Sequence, residues 1–142
     1  MKPLFGYGTF RKAVWRDAIL GAQYRAQPAT LRGYRRIGCG SGYLSLRETV
    51  VDVGLIEGVL IELDELGWQI ADRWEEVPKY HRVEVSVNTM HGPVDAFAYF
   101  CTDSSHARPV DDDRLALLTD AEVEASIEHF APIARALRRR AE

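Results

Sequence analysis

The chain has 142 residues, 46% of them hydrophobic and 27% charged, with a formal net charge of −3. That length suits one domain with an ordinary core, and the mild acidity argues against a nucleic-acid surface as the main function. No apolar run approaches the ~20 residues that span a bilayer, and the N-terminus carries no signal-peptide hydrophobic region, so no membrane partner is expected.

Leu4-Phe5-Gly6-Tyr7-Gly8-Thr9-Phe10-Arg11 reads as a short apolar strand running into a Gly-Thr turn. A strand that ends on such a turn can aim successive peptide N–H groups into a cavity, where they suit a small anion such as a carboxylate. The same pattern also serves purely structural turns. Ala13–Gly21 is a brief helix with Val14, Trp15, Ala18 and Ile19 toward a core and Gly21 as its stop. Gln23–Ile37 is strand-like but interrupted by Pro28 and Gly33, so it is bent or lies on an edge. Residues 38–42 form a Gly-rich loop without the Gly-Lys-Ser/Thr ending of a phosphate loop, and Tyr43–Leu46 is a short strand.

Leu55–Leu63 predicts a central strand, with Gly58 marking a bulge or a close backbone approach. Asp64 caps a helix over Glu65–Trp74, which carries Ile70 and Trp74 at helical spacing. His81–Asn88 alternates, with Val83, Val85 and Val87 on one face, and Val94–Cys101 returns as the second strand of a hairpin. Thr102–Asp113 is polar and predicts an exposed loop. Thr119 and Glu122 form a capping box that opens a last helix over 120–139. There is no repeat and no linker, so residues 1–142 predict a single α+β domain built around a curved sheet or barrel.

Asp72-x-x-Glu75 is the second informative stretch. Three residues apart on a helix, the two carboxylates share a face, and Pro78 ends the helix just beyond them. A carboxylate turned inward at such a junction, partly desolvated and beside another acid, has a raised pKa and can serve as a general acid–base. The alternative is a solvated acidic helix face screened by Arg73 or Arg82.

Cys39 and Cys101 are far apart and neither belongs to a Cys-x-x-Cys pair, so two free thiols in a reducing cytoplasm are expected. His81, His91, His106 and His129 read as surface or loop residues without metal-ligand spacing, and no metal is expected. Thr9 lacks the neighbouring base that a hydroxyl nucleophile needs. Trp15, Trp68 and Trp74 read as core or cavity wall, and Arg135, Arg138, Arg139 and Arg140 as a solvated helix end that suits the helix dipole.

Taken in order, Tyr7-Gly8-Thr9-Phe10-Arg11, Gly58-Val59-Leu60-Ile61-Glu62-Leu63, Asp72-x-x-Glu75, Tyr80-x-Arg82 and Ala98-Tyr99-Phe100 resemble the gamma-glutamylcyclotransferase-like family over roughly residues 3 to 102. The resemblance implies a small mixed β-barrel flanked by helices, with a cavity at one end. It implies a reaction that closes a γ-glutamyl group into 5-oxoproline and releases an amine, with no cofactor. It also implies that Glu75 is the catalytic acid–base and that Tyr7, Gly8, Thr9 and Phe10 bind the glutamyl group. Tyr80, Arg82 and Tyr99 would line or support the cavity. Two departures stand out: Phe10 replaces a more usual Leu, and Glu76 follows Glu75 where the family commonly has Gly. A binding or structural protein that keeps the barrel without turnover, or one that hydrolyses or transfers the glutamyl group, are the competing readings. The leaving amine and the oligomeric state are not legible.

Overall fold

The computed structural model describes residues 1–49, 54–103, 107–110 and 116–142. Five strands close into a mixed barrel in the order β1 (Leu4–Gly6), β5 (Leu55–Ile61), β2 (Ala26–Arg32), β6 (Tyr80–Thr89) and β7 (Gly92–Cys101). β1 is antiparallel to β5 and parallel to β7, which is what closes the ring. A second sheet has the order β4 (Leu44–Glu48), β3 (Tyr34–Gly38), β8 (Arg108–Pro109). Three α-helices, α1 (Ala13–Leu20), α2 (Glu65–Trp74) and α3 (Asp120–Ala141), and one 3₁₀ turn over Thr9–Arg11 complete the described elements.

The two-residue period of the strands divides the core. Phe5 and Leu60 point into the barrel with Ala29, Leu31, Ile56, Val85, Val87, Ala96 and Ala98, while their neighbours Leu4 and Ile61 point out beneath the helices. There they meet Trp15, Ile19, Trp68, Ile70, Val123 and Ile127. Gly58 is a close approach and not a bulge. The β2–β5 register runs unbroken through it, and a Cβ there would lie 2.5 Å from the Gly6 carbonyl oxygen.

Several expectations shift. The stretch 23–37 is two strands, broken at Gly33, whose φ of 87° is open to glycine and costly for other residues. The buried face of α1 is Trp15, Ile19 and Leu20, whereas Val14 is 70% exposed and Ala18 faces outward. Within the expected loop after Thr102, Arg108–Pro109 pairs with β3; residues 104–106, with His106, and 111–113 lie outside the described residues. The caps are as expected. Asp64 accepts from the Gly67 N–H at 2.7 Å, and Thr119 and Glu122 exchange both bonds of the capping box.

The cysteines are not free. Cys39 and Cys101 form a disulfide across a sequence separation of 62, because the β3–β4 turn packs against the end of β7. Spacing along the chain carries no sign of that contact. The expectation of a cytoplasmic setting leaned on reduced thiols, and the bridge removes that ground. No described helix is long and apolar enough to cross a membrane.

Candidate active site

Two pockets meet at Glu75. The smaller is walled by residues 4–10 with Tyr43, Leu44, Glu75 and Tyr99. The larger, of about 830 Å³, opens on the other side between the end of α2, the turn leading to β6, the β3–β4 turn and α3. Glu75 and Tyr43 line both.

Glu75 is the C-cap of α2, with its N–H still donating to the Ala71 carbonyl at 2.9 Å. The residue is half-buried, but its Oε2 is fully buried and has no hydrogen-bond partner. Burial raises its carboxyl from 4.5 to about 8, with smaller contributions from the charges of Asp72 and Glu76. The negative end of the helix dipole acts in the same direction. An unpaired buried carboxyl costs stability and calls for an explanation, and a carboxyl that titrates near neutrality is suited to proton transfer.

Glu75 lines both pockets, whereas the adjacent Glu76 lines only the larger. It is exposed, 3.7 Å from the Lys79 ammonium, and absent from the smaller pocket. Its φ is 54°, the left-handed region, so the turn after α2 takes the shape that glycine takes most cheaply. Left-handed backbone costs a residue with a Cβ ~1–2 kcal/mol, against roughly 0.5–1 kcal/mol for the extra freedom of an unfolded glycine. Glu76→Gly should therefore raise stability by about 0.5–1 kcal/mol in denaturant titration; a loss of stability would show that the Glu76–Lys79 pair matters more than the backbone.

Asp72, one turn before Glu75, is engaged on two sides. Arg82 forks onto both its oxygens at 3.0 and 2.6 Å, and the Tyr99 hydroxyl donates to Oδ1. The Arg82 guanidinium also lies 4.3 Å over the Trp68 ring. Arg82 lines neither pocket, so the structure separates it from the other expected cavity residues and makes it the anchor of Asp72. Tyr7 is buried, and its hydroxyl donates to the Tyr99 carbonyl. Tyr80 is buried at the start of β6, faces the larger pocket and shares a 2.8 Å hydrogen bond with Ser41 Oγ. Burial, ahead of neighbouring charge, raises the phenols of Tyr7 and Tyr99, and Tyr80 to about 12. All three stay protonated near neutrality.

Gly8, Thr9 and Phe10 form the floor of the smaller pocket, where the chain leaves β1 in a single 3₁₀ turn over Thr9–Arg11. None of their three N–H groups donates to another backbone group among the described residues. The turn is held from behind by Arg36, which donates to the Tyr7 carbonyl at 3.3 Å and the Glu57 carbonyl at 2.8 Å. Phe10 and Thr9 are themselves buried and line the pocket.

Sequence reasoning missed part of this architecture. Ser41 and Tyr43 come from the Gly-rich loop, pinned by the Cys39–Cys101 bridge and by the Leu117 N–H bonding to the Gly42 carbonyl at 2.8 Å. Ser126, His129, Phe130 and Ile133 come from α3. Their helical spacing was visible, but not the cavity that their face would close.

Comparison with known proteins agrees with the architecture. Residues 4–120 match the family described as gamma-glutamyl cyclotransferase, AIG2-like. An Arabidopsis thaliana protein solved in solution is 23% identical, with a TM-score of 0.61 over 99% of this chain and 82% of that one. A structure named gamma-glutamyl cyclotransferase is 14% identical, with a TM-score of 0.61 over 96% of this chain and 86% of that one. A Mus musculus AIG2-like protein is 18% identical, with a TM-score of 0.52 over 72% of this chain and 78% of that one. No curated protein matches the chain in sequence. With the family pattern spanning most of its length and the barrel shared with these structures, the chain belongs to the gamma-glutamyl cyclotransferase, AIG2-like family.

Proposed function

We propose that the protein is a γ-glutamyl cyclotransferase that converts a small γ-glutamyl amine or amide into 5-oxoproline and a free amine. The observation that carries this reading is Glu75: a buried carboxyl without a partner, titrating near 8, at the junction of two pockets. The reaction joins the α-nitrogen of the glutamyl group to its own γ-carbonyl carbon and then breaks the bond from that carbon to the leaving nitrogen. Nucleophile and electrophile belong to one molecule, so folding the substrate into the cyclising conformer supplies much of the rate, and the chemistry calls for no cofactor.

The glutamyl group occupies the smaller pocket, with Tyr7, Gly8, Thr9 and Phe10 as its cradle and Tyr99 as part of its wall. Free N–H groups in that turn stabilise the α-carboxylate or the oxyanion that forms on the attacked carbonyl; one such donor contributes about 3 kcal/mol. Ionised Glu75 takes a proton from the α-ammonium, whose nitrogen then attacks. As the tetrahedral intermediate collapses, the same carboxyl returns that proton to the leaving nitrogen, and the second proton that the α-nitrogen sheds to become the lactam N–H follows it, so the amine leaves as its ammonium form. Tyr80 supports the pocket mouth through Ser41, and Arg82 positions Asp72 behind Glu75.

The test is mass-spectrometric detection of 5-oxoproline from a panel of γ-glutamyl amines, amino acids and peptides, with Glu75→Gln as the control. Product that disappears in the variant supports the reading. Free glutamate in place of 5-oxoproline would assign a hydrolase, and no product from a folded protein would favour a binding role.

A further inference from the structure

The larger pocket is far roomier than a glutamyl group requires. At about 830 Å³ it lies in the size range that holds a drug-sized ligand. Its wall carries three aromatic rings set edge to face: Tyr43 against Trp74 with centroids 5.9 Å apart, and Trp74 against Phe130 at 5.4 Å. Ile133 and Ala125 extend this apolar surface along α3. The acids at its edge are already engaged, Asp72 by Arg82 at 2.6 Å and Glu76 by Lys79 at 3.7 Å. Ser41, Ser126, His129, Arg73 and Lys79 also line the pocket; the aromatic side offers contact area to rings and branched chains, and the two basic side chains disfavour a second ammonium group.

We propose that this pocket is the leaving-amine subsite and that it takes amines with a bulky aromatic body, selected by Tyr43, Trp74, Phe130 and Ile133. The assignment rests on the cyclotransferase reading and deepens it. The scissile amide then lies beside Glu75 where the two pockets meet, the glutamyl half on the Gly8 side and the amine half toward α3. Phe130 and Ile133 lie on α3, beyond residue 120 where the family match ends.

The test compares γ-glutamyl-phenethylamide with γ-glutamyl-methylamide by kcat/KM, and phenethylamine with methylamine by calorimetry. An apolar pocket discriminates ~10–200-fold per methylene, so the phenethylamide is expected to be favoured at least tenfold. Ser126→Phe fills the space beside Tyr43, and Ile133→Ala removes wall; each should lower the preference, the first at least tenfold, and Ser126→Phe should weaken phenethylamine binding. Equal kcat/KM for the two amides, or a preference that neither folded variant moves, overturns the subsite while leaving the cyclotransferase intact. Absence of 5-oxoproline from both amides, with phenethylamine still bound by the wild type and weakened by Ser126→Phe, overturns the reaction and the leaving-group role together and leaves an aromatic binding cavity.

Discussion

Glu75→Gln is expected to lose turnover by ~10²–10⁴-fold, the contribution of a well-placed general acid–base, while the protein becomes more stable. The sign of the stability change follows from the raised carboxyl. Folding lifts Glu75 from 4.5 to about 8, so its neutral form is the one that folding favours. The favourable contribution is complete below pH 4.5 and is lost progressively as the pH rises to about 8, where the folded protein must also ionise. At pH 7 this difference is on the order of 3 kcal/mol, and glutamine does not incur it. Melting curves of the two proteins should coincide near pH 4 and separate toward pH 8, with the variant higher. For the wild type, kcat/KM should rise with pH as Glu75 ionises, levelling above about 8. Retained 5-oxoproline formation in the variant would remove Glu75 from the mechanism, and coincident melting at pH 8 would show that its carboxyl is not desolvated. A stabilised but inactive variant is the usual mark of a residue kept for chemistry at the expense of packing.

Breaking the Cys39–Cys101 bridge is expected to have the second large effect. It closes a separation of 62 residues, for which the chain-entropy relation gives about 4 kcal/mol of stabilisation. Cys101→Ser should lower Tm by roughly 10 °C for a domain of this size, and reduced wild type should fall to the same value. Identical melting of oxidised, reduced and substituted protein would show that the bridge constrains nothing. Because the bridge holds the loop bearing Ser41 and Tyr43, and neither residue is assigned a proton-transfer step, its loss should raise KM more than it lowers kcat.

The capping and hairpin signals in the sequence were sound because each depends on neighbours a few residues away. Asp64 caps α2 through the Gly67 N–H, Thr119 and Glu122 close their box, and the β6–β7 hairpin follows from alternation around a tight turn. The Asp72-x-x-Glu75 spacing placed two acids on one face of α2, and the resemblance attached a role to the second. Tyr7 through Phe10 formed the expected turn, whereas the left-handed backbone of Glu76 was not read from the sequence.

What the tertiary structure decided is everything that sums over distant partners. Glu75 titrates near 8 because barrel and helices together exclude water from its Oε2, and no window of sequence contains that enclosure. Arg82 belongs to Asp72 and Trp68, ten or more positions back, because β6 starts alongside α2. Cys39 meets Cys101 because the β3–β4 turn folds onto the end of β7, and α3 becomes a pocket wall because its apolar face packs across the end of α2. By itself the sequence determined most of the elements, their caps and the chemical types available at the site; packing between elements far apart in the chain decided which of those groups are desolvated, paired or left free to react.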